Sequence, residues 1–177
     1  MTPEHLRDAA GLAAVFGFFA MAWFGWAQEA PPKSWAKYLG AGSVLSILVA
    51  AGGGLLLWRH WNDGTVFNDE TGRQFGILVG IEFAAAGLGA GLLAWRKQAD
   101  LIPAWIAFVV GVHLFPVAVV LEIPAVHVVA ALVTVAPIAA VPVAKAKGLK
   151  VSAVVGPAAG TILVTAALLS LIDALTR

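Results

Sequence analysis

Four ionisable residues stand where the chain is otherwise apolar. Glu82 lies in GILVGIEFAAAG, and His113, Glu122 and His127 lie in GVHLFPVAVVLEIPAVHVV. Carboxyl and imidazole groups are the usual proton carriers of side-chain chemistry. Inside a membrane they mark proton relays and ion paths. An ionised carboxylate in hydrocarbon costs at least about 2.5 kcal/mol. Glu82 must therefore face protein or water, pair with a cation, or keep its proton. Its helical neighbours Ala85, Ala86 and Gly89 make a small face that should meet another helix. His113 is the natural partner, because a rise of ~1.5 Å per residue puts the two at similar depths, ~10 and ~12 Å from one end of their helices. Pro116 has no N–H for the carbonyl of Val112, so a kink is expected beside His113. His127 falls one turn into the next apolar run, on a face with Ala131 and Thr134, and Glu122 falls in the turn before it. Thr161 and Thr165 could add hydroxyls. These residues predict a polar pocket opening outward.

The elements that must position them are long apolar runs. Six are visible: Ala9 to Trp26, Leu39 to Trp58, Phe75 to Trp95, Pro103 to Leu121, Pro124 to Val143 and Val151 to Leu171. Each is close to the ~20 residues that cross ~30 Å of hydrocarbon. None carries a polar stripe, and β-barrel alternation is missing. Only 12% of the 177 residues are charged, against about 25% in soluble domains. The reading is an all-α polytopic membrane protein, one compact bundle of six transmembrane helices in contact with the lipid bilayer. The flank MTPEHLRDAA is not basic and QEAPPKSW is a poor cleavage site, so the first run is expected to be a retained span. With no cysteine, thiolate metal sites and disulfides are excluded, and a net charge of +1 gives no case for nucleic acid.

Loop charge sets an expected orientation. Lys33, Lys37, Arg96, Lys97, Lys145, Lys147 and Lys150 lie in the odd-numbered connections, and Arg7, Arg59, Arg73 and Arg177 lie on the other side. The basic loops then face the cytoplasm, in the cell membrane, with both termini outside. Trp26, Trp35, Trp58, Trp61, Trp95 and Trp105 are expected at the membrane interfaces. Thr71 to Gln74 reads as a capping box opening the third span. Gly76, Gly80, Gly87 and Gly91, with Gly156 and Gly160 in span six, have spacing that lets helices approach closely, in a tight bundle, a homo-oligomer or a larger membrane complex.

The phrases GFFAMAWFGWAQEAPP, GIEF and IPAWIAFVVGVHLFPVA resemble a family of small multi-pass bacterial membrane proteins without an assigned activity. The resemblance covers spans one to four. It implies a compact helical bundle and draws attention to the segments around Glu82 and His113.

The leading functional class is a small proton- or cation-coupled transporter or channel, with its site between spans three, four and five. A structural or accessory subunit of a membrane complex is the alternative, in which Glu82 and His113 only hold helices together. A haem or metal protein using two histidines is a third reading, and no particular cofactor is indicated. HExxH, GxSxG and Walker A patterns are missing, so nothing points to an enzyme.

Overall fold

The computed structural model describes residues 3–177. All six apolar runs are α-helices, with no strand among the described residues: α1 (Leu6–Ala27), α2 (Ala36–Arg59), α3 (Asp69–Trp95), α4 (Ile102–Val120), α5 (Ala125–Lys147) and α6 (Val151–Leu175). Each of the six is long and apolar enough to cross a membrane. Five of the six helices outrun the apolar runs that announced them, and α4 is shifted by one residue at equal length. Hydropathy marks the stretch suited to hydrocarbon, whereas the backbone stays helical into the headgroup zone wherever a cap permits.

The start of α3 shows this. Its cap is Asn68, whose side chain accepts from the backbone of Glu70 and Thr71, while the Thr71 hydroxyl accepts from the backbone N–H of Asn68. The expected box from Thr71 to Gln74 is thus displaced by one turn. Thr71 is the far member of the box, and Gln74 bonds Glu70 instead. Asn68 wins because its short side chain reaches two free N–H groups at the helix end.

Helices α1 and α6 form the centre. They pack on each other, α2 packs on α1, α5 on α6, and α4 on α5. Small residues set these distances. A side chain on Gly53 would come within 2.6 Å of the backbone of Ala14, and one on Gly156 within 2.6 Å of the Trp23 carbonyl. The core between them includes Phe16, Phe24, Val126, Val133 and Leu163. Helix α4 stays helical through Pro116.

Helix α3 is different. It packs along α4, and none of its residues is buried. The glycines expected to pack it tightly do not: Gly76, Gly80, Gly87 and Gly91 all face open space. The close contact falls instead at Gly89, where the Trp105 indole occupies the place a side chain would take. Trp105 is therefore an interhelical anchor, and its Nε1 donates to the Ala85 carbonyl at 3.1 Å. Trp58, Trp61 and Trp95 are exposed near helix ends. The chain termini meet on one side of the bundle, where Arg177 donates to the Glu4 carbonyl at 3.0 Å.

Candidate functional site

The α3–α4 hairpin brings Glu82 and His113 together. Oε2 of Glu82 stands 3.2 Å from Nδ1 of His113, and the two side chains are 17% and 12% exposed. The distance is that of an ion pair, but the approach is off-line. Neither ring nitrogen of His113 makes a hydrogen bond with the protein. The hairpin explains the match in depth. One turn beyond Glu82, Ala85 accepts from Trp105, and two turns beyond, Gly89 lets that indole lie against α3. The small face of Glu82 therefore meets α4.

The pair forms part of the wall of a 590 Å³ cavity between α1 and the α3–α4 hairpin. Phe16 and Phe19 come from α1, Phe75, Val79 and Phe83 from α3, and Leu114 from α4. The expected pocket was polar. The observed one is mainly apolar, with the Glu82–His113 pair set into it. The reason lies in what surrounds the ionisable groups: the helix faces flanking them carry Phe, Val and Leu.

The other two residues of the expected site stand elsewhere. Glu122 occupies the α4–α5 turn with a left-handed backbone, φ 56°, and lines a second, adjoining 340 Å³ hollow with Glu4, His5 and Asp8. His127 is partly buried one turn into α5, its Nδ1 3.2 Å from the Pro124 carbonyl and its ring 6.1 Å from that of Phe115. Thr134 and Thr165 bond carbonyls one turn back on their own helices. Among the described residues, no group of three His, Asp or Glu side chains could hold a metal ion. His60 is engaged with Asp63 at 2.7 Å.

Sequence reasoning missed the polar end of the cavity. Asp8, only 8% exposed, accepts from the Thr65 hydroxyl at 2.6 Å and the Val66 N–H at 2.8 Å, strapping the α2–α3 connection onto α1. Beside it the Arg7 guanidinium lies over the Trp61 ring, 4.3 Å from its centre. Arg7, Asp8, Trp61 and Thr65 all line the cavity. The partners are more than fifty residues apart, so no local spacing betrays them. The one signal available was an acid in the first turn of a helix, where the helix dipole favours it.

No family model, curated protein or solved structure matches this chain.

Proposed function

We propose that the chain is a small proton-coupled membrane transporter in which Glu82 and His113 together carry the proton. The observation behind this is the 3.2 Å pair in the wall of a cavity between helices that could span a membrane. Two titratable groups at that separation can pass one proton between them with a small movement. The apolar walls favour a proton over a metal cation as the coupling ion. A sodium- or calcium-sized ion needs a shell of oxygen ligands, whereas a proton needs only one acceptor. They also favour a transporter over a channel, which would need a continuous polar path. With the basic loops in the cytoplasm and the termini outside, the cavity lies in the outer half of the bundle.

The test is proton flux into liposomes holding a trapped pH dye. With a native lipid and solute extract supplied as co-substrate, the wild-type protein should move protons across the bilayer, and Glu82→Gln should abolish that flux while the protein still folds. A folded wild type with no flux would refute the reading. The competing reading, a subunit of a larger assembly, draws on the outer face of α3, where Gly76, Gly80, Gly87 and Gly91 leave room for another helix. The native mass of the purified protein tests it. Cysteines placed at Asp63 and Lys147 should label from opposite sides of the membrane, and labelling from one side would overturn the orientation.

A further inference from the structure

The proposed transporter needs a substrate, and the cavity constrains its chemistry. Its volume of 590 Å³ falls within the range that small ligands fill, about 300–1,000 Å³. Its shape is more telling. Along α1 the lining runs from Arg7 to Phe19, twelve steps of ~1.5 Å, or ~18 Å. One leaflet of a ~30 Å hydrocarbon core is ~15 Å deep. The slot is thus about as long as one leaflet is thick. It lies between α1 and α3, and α3 packs chiefly on α4, so in a bilayer the flank of the slot would give onto lipid.

The two ends differ in chemistry. The deep end is built from Phe16, Phe19, Phe83 and Leu114. The shallow end has Arg7, held against Trp61 and facing no carboxylate within ion-pair distance among the described residues. The adjacent acid, Asp8, keeps its charge, but its two oxygens are engaged by the Thr65 hydroxyl and the Val66 N–H. Of the other arginines on this side, Arg73 is paired with Glu70 and Arg177 with Asp173, and Arg59, without a carboxylate partner, stands outside the cavity lining. A guanidinium without an ion-pair partner, set over an aromatic ring at the mouth of an apolar slot, suits an anionic headgroup.

We infer that the cavity binds a single-chain anionic amphiphile taken from the surrounding bilayer, its acyl chain along the α1–α3 slot and its headgroup at Arg7. This rests on the reading of the cavity as the transport site and names the substrate class. The chain in place would cover the Glu82–His113 pair, and its passage would expose it again.

Binding can be measured without transport. Native mass spectrometry of the full chain, released from mild detergent, would be run with lysophosphatidylglycerol and with lysophosphatidylcholine of the same acyl length. One lysophosphatidylglycerol should be retained per chain, about tenfold more tightly than lysophosphatidylcholine. Arg7→Gln should remove that preference, and Val79→Trp, which fills the slot from α3, should abolish retention of both. Equal retention of the two lipids by the wild type would overturn the proposal, as would full retention by a folded Val79→Trp protein. The wild-type comparison stands even if a variant fails to fold. Failure here with Glu82-dependent proton flux intact would reject the substrate class and leave the proton reading standing. Selective binding with no flux would do the reverse.

Discussion

Removing the carboxylate of Asp8 should loosen the molecule where the α2–α3 connection is tied onto α1. Asp8 takes two hydrogen bonds, at 2.6 Å from Thr65 and 2.8 Å from Val66, and is 8% exposed. Hydrogen bonds to charged groups contribute about 1.5–3 kcal/mol each. The Thr65 hydroxyl sits in a connection that water can reach, so part of its loss is recovered, and Asp8→Ala should cost about 3 kcal/mol. Asp8→Asn keeps one acceptor oxygen but turns an NH2 group toward the second donor, for about 2 kcal/mol. Thr65→Ala leaves the carboxylate its bond to Val66 and should cost about 1 kcal/mol. At roughly 2–4 °C per kcal/mol for a chain of this size, Asp8→Ala lowers the melting temperature by about 6–12 °C. The assay is thermal unfolding in one detergent, followed by intrinsic tryptophan fluorescence. An Asp8→Ala protein melting within 2 °C of wild type would refute the reasoning, as would a larger loss for Thr65→Ala than for Asp8→Ala.

Two leucine substitutions should separate packing glycines from exposed ones. Gly156→Leu drives a side chain into the Trp23 carbonyl and Ala27, and should prevent stable folding, whereas Gly80→Leu meets open space and should leave the monomer's melting temperature within about 2 °C. Glu122→Gly should stabilise by about 0.5–1 kcal/mol in the same assay, because a left-handed backbone costs a residue with Cβ about 1–2 kcal/mol and the glycine's extra chain freedom offsets part of the gain. Its proton flux should also be unchanged, because Glu122 lines a different hollow from the pair.

The six helices were legible because each apolar run is long enough to admit only one secondary structure in hydrocarbon, where every backbone group must be paired internally. The Glu82–His113 contact was legible for a related reason. Spans three and four are joined by a short connection, so equal depth nearly forces contact. Which glycines pack was not legible. Gly80 and Gly89 sit on the same helix, and only the direction of α4, fixed by where Trp105 lands, decides that one is crowded and the other free. His127 was grouped with the site by depth, yet depth says nothing about azimuth, and its ring lies against Phe115 instead. The apolar character of the cavity and its Arg7–Trp61 end depend on how α1 meets the α2–α3 connection, a contact between segments distant in sequence.

The most direct test of the central claim is infrared difference spectroscopy on the purified protein in lipid, stepping the pH and watching the carboxyl C=O region. If Glu82 carries the transported proton, a carboxyl band changes in the wild type, is missing in Glu82→Gln, and shifts in frequency in His113→Asn, where the partner 3.2 Å away has lost its imidazole. Identical difference spectra for wild type and Glu82→Gln would contradict the account.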